Sequence, residues 1–307
     1  MSTSTQSAPA TQDVDLGRVG LWSGGLGGLE LGRLREVAAE IEELGFGTLW
    51  WGEAPGSRET LTQALVLLGA TERLVAATGI ANLYMRDAAA TVAGARTVAA
   101  LHPGRFVLGL GVSHAPLVEG MLRKDYGKPL ATMRAYLDAM DGAPRGTPES
   151  REPGPPVLLA ALGPKMLELA RDRTQGAHPY LVTVEHTAQA REALGPDRLL
   201  AVEQGAVLTT DRADGLRRAR IHLEMYKVLP NYRNNWLRLG YTEEETTGDL
   251  ADRLVDALVV IGDEDAIAAR VAEHHAAGAD HVCLQVLGEK NGDPALDDVR
   301  RLGPLTR

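Results

Sequence analysis

The chain holds one cysteine, Cys283, in 307 residues, so no disulfide can close within it. A reducing, cytoplasmic setting is the matching expectation. Cys283 stands in the apolar run Val282-Cys283-Leu284, where a thiol packs as a small hydrophobe. Aromatic residues are scarce at 4%, which favours a core of small side chains in layers. Positive charge is outweighed, with 32 Lys and Arg against 41 Asp and Glu and a net charge of −9. No basic cluster offsets this, so a nucleic-acid footprint is not expected. No apolar run approaches the roughly 20 residues of a membrane-spanning helix. The Ser-, Thr- and Ala-rich start lacks the basic and apolar regions of a secretion signal. Residues 1–16 are expected to form a disordered tail and residues 17–307 a single domain.

Several motifs are missing as well. Gly109-Leu110-Gly111 is not followed by glycine at 114, and the cluster Gly24 to Gly28 is out of register; neither makes a dinucleotide fingerprint. There is no Gly-Lys-Ser/Thr phosphate loop. The first apolar run lacks the His-x-His of metal-dependent barrel hydrolases, and no catalytic metal is expected.

What is present is alternation. Apolar runs at 19–22, 48–51, 74–80, 106–112, 157–161, about 178–182, 199–208 and 282–286 are separated by helix-like stretches. In the first of these, Leu31, Leu34, Val37, Ala38, Ile41 and Leu44 recur at helical spacing before Gly45. Eight nearly all-apolar runs alternating with helices imply a parallel sheet covered on both faces. The expected fold is an α/β (β/α)8 TIM barrel with an insertion between strands 7 and 8, from about 226 to 258. That insertion carries Tyr226, Tyr232, Trp236 and Tyr241, and is read either as a wall over the barrel mouth or as a subunit contact.

In such a barrel the working groups stand at the C-terminal strand ends. Those positions select Trp22, Glu53, Asn82 and His114. His102, His186, His222, His274 and His275 are assigned surface or core roles, and adjacent His274 and His275 point in different directions on a helix.

Two blocks then become informative together: Thr78-Gly79-Ile80-Ala81-Asn82-Leu83-Tyr84-Met85-Arg86-Asp87, and Pro103-Gly104-Arg105-Phe106-Val107-Leu108-Gly109-Leu110-Gly111-Val112. With Leu44 to Trp50 and Gly163 to Ala170, they resemble the luciferase-like monooxygenase superfamily, and most of all its branch using the deazaflavin coenzyme F420. The resemblance spans roughly residues 18–290. It implies a bulge at the end of strand three, often with a non-proline cis peptide, here Gly79-Ile80, against the back of the deazaflavin. It implies cofactor contacts from Gly79, Ile80, Ala81, Asn82, Gly111 and Val112. It also implies a phosphate seat at Ala161, Leu162, Gly163, Pro164 and Lys165, where free N–H groups open a helix. Arg171 and Arg173 are further cations for an anionic tail. Glu53 and His114 are the acid–base groups, with Trp22 flanking the substrate. Similar enzymes often carry His or Trp at position 53, and some carry Glu at 114, so the sugar-phosphate dehydrogenase pattern is not matched. The implied activity is hydride transfer between F420 and a small organic substrate in a homodimer. An FMN-dependent monooxygenase and a non-catalytic flavin-binding barrel are the alternatives.

Overall fold

The strand runs carry few polar residues because each strand is covered twice, inward by the opposite barrel wall and outward by helices. A computed structural model describes residues 11–306. Its strands are β1 (Val19–Trp22), β2 (Thr48–Trp51), β3 (Val75–Thr78), β4 (Ala81–Asn82), β5 (Phe106–Gly111), β6 (Val157–Leu159), β7 (Gly176–Ala177), β8 (Leu199–Leu208), β9 (Val259–Gly262) and β10 (His281–Val286). Eight of them, in the order β10-β1-β2-β3-β5-β6-β7-β8, form a parallel barrel that closes through the β8–β10 pairing. The remaining two are additions: β4 pairs with β5, and β9 with the end of β8. The helices are α1 (Leu31–Glu43), α2 (Thr60–Leu68), α3 (Ala88–Leu101), α4 (Ala115–Gly120), α5 (Pro129–Asp141), α6 (Pro164–Arg173), α7 (Val184–Leu194), α8 (Arg212–Leu223), α9 (Pro230–Arg238), α10 (Asp252–Leu258), α11 (Glu264–Ala276) and α12 (Leu296–Leu302).

Strand alternation sorts the core into two layers. Trp50, Val75, Ala77, Val107, Leu158, Ala201 and Cys283 share the inner cluster. Their neighbours Leu49, Ala76, Phe106, Leu108, Leu159, Leu200, Val202 and Leu284 pack with the helices. At the lower end of the barrel three polar side chains pair: Trp50 Nε1 donates to Thr48 Oγ1 at 2.8 Å, and Thr48 Oγ1 lies 2.8 Å from His281 Nε2. Gly20 makes room for this layer, since a Cβ there would lie 1.9 Å from Thr48 Oγ1. The helix over Leu31–Glu43 buries Leu34, Val37, Ala38 and Ile41, and Gly45 follows it with φ of +93°, the left-handed turn that glycine permits after a helix.

Four boundaries differ from expectation. The expected tail falls partly on residues 1–10, outside the described residues. From Thr11 the chain lies against the barrel: Thr11 bridges to Gly154, Gln12 Oε1 accepts from Gly104 N, and Leu16 enters the inner cluster. The third run stops at Thr78, and Ala81–Asn82 pairs separately. The sixth strand is Gly176–Ala177, so His178 lies just past its end rather than at its start. Finally, the insertion is followed by a strand, β9, which the periodicity did not single out. The insertion has its own apolar cluster, in which Tyr232, Trp236 and Tyr241 pack with Leu223, Leu254 and Leu287.

Candidate functional site

A cavity of about 470 Å³ opens at the C-terminal ends of the barrel strands, a volume typical of small-molecule sites. Its inner wall is the end of strand three. Gly79-Ile80 is a non-proline cis peptide. Neighbouring strand ends hold it: Gly79 N donates to Trp51 O at 2.6 Å, Glu53 N to Ile80 O at 3.0 Å, and Trp22 Nε1 to Gly79 O at 3.1 Å. A Cβ on Gly79 would lie 2.6 Å from Trp22 Nε1 and 2.8 Å from His178 Nε2. One on Gly111 would lie 2.5 Å from Ile80 Cγ1. Bare backbone is therefore required on both sides of the bulge.

Glu53 lines this wall, yet its side chain is fully buried. Oε1 accepts from Thr60 N at 3.3 Å and from Arg86 Nη2, and Oε2 accepts from Asn82 N at 2.9 Å and Arg86 Nη1 at 3.0 Å. Four donors fill the roughly four lone-pair positions of a carboxylate. No position is left to take a substrate proton, so the geometry makes Glu53 a clamp between strand two and the strand-three bulge. The reason is Arg86, whose planar fork binds both oxygens and which the sequence motif contained without a stated role. Asn82 is buried behind the wall; its Oδ1 accepts from Tyr84 N, while Nδ2 has no partner. Neither Asn82 nor Ala81 is among the residues lining the cavity.

The opposite wall is different. His114 follows Ser113, whose φ of +53° is unusual for a non-glycine residue, and begins α4. Its ring lines the cavity, as does Asn231, and keeps a buried Nδ1 with no partner. Burial holds its pKa below the usual imidazole value. It is thus neutral near pH 7 and able to accept a proton. His178, which strand periodicity had placed inside a run, also lines the cavity. Its Nδ1 lies 2.9 Å from Ala201 O; a carbonyl only accepts, so Nδ1 carries the hydrogen and Nε2 is a bare acceptor. Nε2 is buried without a partner. The ring stacks on Trp50 at 4.4 Å, and burial pushes its pKa down to about 4. Deeper still, Glu203 Oε2 accepts from Leu181 N at 2.8 Å while Oε1 has no partner; burial pushes this acid up to about 8.

The insertion supplies the outer wall, through Met225, Tyr226, Asn231 and Tyr232. Tyr180 sits between it and the barrel. Its ring lies 5.3 Å from Trp22 and 5.5 Å from Tyr226, and Tyr226 meets Tyr232 edge-on at 5.2 Å. Tyr180 Oη donates to Gln285 Oε1 at 2.7 Å and lies 3.0 Å from Tyr226 Oη. Trp22 is therefore part of an aromatic wall and a donor to the bulge. Tyr180, His178 and Asn231 were not singled out as site residues by sequence, and Tyr226 and Tyr232 entered only as members of the insertion. His178 follows a two-residue strand, and the tyrosines come from a segment whose position no periodicity specifies.

Val112, Ala161, Leu162 and Gly163 line the cavity, with Pro164 and Lys165 exposed beyond them on the first turn of α6. Arg171 and Arg173 are not available to this end: Arg171 pairs with Asp172, and Arg173 with Asp138 and Asp141. A different cation is close. Arg238 of the insertion reaches Asn235 Oδ1 at 3.0 Å, and its Nη2 would lie 3.8 Å from a Cβ on Gly163. No group of three or more His, Cys, Asp or Glu among the described residues could hold a metal ion. Among the same residues, no helix is long and apolar enough to cross a membrane.

A family model described as luciferase-like monooxygenase matches residues 9–281. A putative coenzyme F420-dependent oxidoreductase from Mycobacterium tuberculosis is 25% identical, covering 79% of this chain and 87% of that protein. Among solved structures, the coenzyme F420-dependent tetrahydromethanopterin reductase from Methanopyrus kandleri aligns with a TM-score of 0.73 at 15% identity, covering 95% of this chain and 97% of that one. The oxygenating constituent of 3,6-diketocamphane monooxygenase from Pseudomonas putida, in complex with FMN, aligns with a TM-score of 0.67 at 15% identity, covering 94% and 97%. At these identities the structural likenesses speak for the fold.

Proposed function

The chain belongs to the luciferase-like monooxygenase family, a superfamily of flavin- and deazaflavin-binding oxidoreductases, and from that premise we propose that it is an F420-dependent oxidoreductase acting on a small organic substrate. The observation that carries the reading is the strand-three bulge: a backbone surface without side chains at Gly79, backed by Trp22 and His178, and facing an open cavity. A flat ring system fits against such a surface. The bare acceptor on His178 Nε2 suits an N–H on its edge. Gly163 and the first turn of α6 suit a phosphate, because the N–H groups that open a helix lack internal partners. Lys165 and Arg238 add charge for an anionic tail, which supports F420 over FMN, as does the similarity to the putative F420-dependent oxidoreductase of Mycobacterium tuberculosis. Homodimerisation through α3 and α5 and a cytoplasmic setting belong to the same proposal; Leu101 of α3 is exposed.

Bound there, the deazaflavin would supply reversible hydride transfer. The chain's own residues would do the rest. The aromatic wall from the insertion would hold the substrate and exclude water. His114 would take the hydroxyl proton on Nδ1 as an alcohol is oxidised to a carbonyl, and return it in the reverse direction. Glu53 would keep the bulge in place and move no proton.

Titration of the purified protein with F420, FMN and FAD tests the cofactor; F420 is expected to bind tightest, and tight binding of FMN alone would reject the proposal. With F420 bound, His114→Gln is expected to lower turnover by about 10²- to 10⁴-fold and to leave cofactor affinity unchanged. Full turnover in that variant rejects the proton assignment.

A further inference from the structure

One stretch of the cavity wall carries polar groups that hydride transfer and proton transfer leave unused. Arg58 lies in the loop between β2 and α2 and lines the cavity. It donates Nη1 to Gly27 O at 3.0 Å and Nη2 to Leu29 O. These carbonyls hold the guanidinium against the loop after β1 and leave its other N–H groups free. They bring no counter-charge, and no carboxylate among the described residues pairs with Arg58. The two acids of the same loop are already engaged. Glu53 and Glu59 both bind Arg86, and Glu59 also caps α2, accepting from Leu61 N at 3.2 Å and Thr62 N at 2.7 Å. Arg58 is therefore a fixed positive charge beside an open cavity. Gly27 keeps the approach clear, since a Cβ there would meet nothing within 4 Å. A second group stands near the start of α2. Gln63 is 3% exposed, lines the same cavity, and has no partner for its amide among the described residues. Buried side-chain amides are nearly always paired, so this one is placed for a ligand.

We propose that Arg58 and Gln63 form a carboxylate subsite. The substrate is then an organic acid that also carries the reacting alcohol or ketone, with its carboxylate at Arg58 and its reacting oxygen at His114. A guanidinium edge matches a carboxylate in shape and charge, and the Gln63 amide adds an uncharged donor. The subsite is separate from the anion seat at Gly163, because β3 and β5 stand between β2 and β6 in the barrel. This deepens the oxidoreductase reading and rests on it for the reacting oxygen. An anionic cofactor tail presents the same chemistry, and the test separates the two sources.

The test uses the full chain, first without cofactor. Benzoate, benzamide and benzamidinium share one shape and differ in charge, and their binding is measured by calorimetry. Benzoate is expected to bind about tenfold tighter than either, or more. Arg58→Gln is expected to abolish that preference and leave benzamide affinity unchanged. Arg58→Lys keeps the charge and is expected to retain part of the preference. Gln63→Leu is expected to weaken benzoate severalfold, and unchanged benzoate affinity in that variant rejects its part in the subsite. A role confined to holding Gly27 and Leu29 would weaken benzoate and benzamide alike in Arg58→Gln, and that result overturns the proposal. So does equal binding of the three probes to the unaltered protein, or tighter binding of phenyl phosphate than of benzoate. F420 affinity is expected to be the same in Arg58→Gln as in the unaltered protein. A loss of about tenfold or more assigns Arg58 to the cofactor tail and overturns the substrate assignment. Tight binding of FMN alone would reject the cofactor reading and leave the benzoate preference standing, so the two failures are distinguishable.

Discussion

The two flanks of the barrel mouth treat a buried carboxyl group in opposite ways. On the strand-two side, Glu53 has four donors and a guanidinium beside it. On the strand-seven side, Glu203 has one backbone donor and an unpartnered oxygen. Both are buried, Glu53 at 6% exposure and Glu203 at 0%. The first arrangement spends every polar contact on holding the backbone. The second leaves polar capacity unspent, as do His114 and His178 nearby. In a folded protein buried polar atoms are nearly always paired. A concentration of unpaired ones therefore separates the part of the mouth that meets a ligand from the part that carries it.

The largest expected effect comes from breaking the paired flank. Arg86→Ala leaves Glu53 buried without its counter-ion, and should destabilise the fold by about 3–5 kcal/mol in urea unfolding. A loss below about 1 kcal/mol would mean that the clamp is not structural. Next is Gly79→Ala. Its Cβ would collide with Trp22 Nε1 and His178 Nε2, so a loss of about 1–3 kcal/mol is expected, together with loss of cofactor binding in a titration. Glu203 gives the next effect. Its folded pKa is raised to about 8 from 4.5, so its contribution to stability is complete below about pH 4.5 and is lost as pH rises towards 8. Glu203→Gln should remove that fall, up to about 1.4 kcal/mol per pH unit, when unfolding is compared between pH 5 and 8. Identical pH slopes in the two proteins would show that Glu203 is not held neutral. The smallest is Lys165→Ala, an exposed change at a helix start, expected to weaken cofactor binding by about 0.3–1 kcal/mol with stability unaltered.

The barrel was legible in the chain because its signal is local. A strand covered on both faces must be apolar throughout, and a helix between two strands must show one apolar stripe. Eight such alternations leave few other architectures. The strand-three bulge was legible only through the family resemblance carried by the motif around it, and the structure adds that no Cβ fits at Gly79, Gly109 or Gly111. The clamp at Glu53 was not legible, because Arg86 lies 33 positions away in sequence and only folding brings the two together.

Position along a strand is thus written in residue order, and the C-terminal ends followed from it. Pairing between side chains is not, because it depends on which distant segments the closed barrel and its insertion bring within hydrogen-bond reach. His178 became a cavity acceptor only when Ala201 O fixed its tautomer. The tyrosines became a wall only when the insertion folded over the mouth. The barrel followed from short-range patterning, and tertiary contact decided which of its polar groups were left free to work.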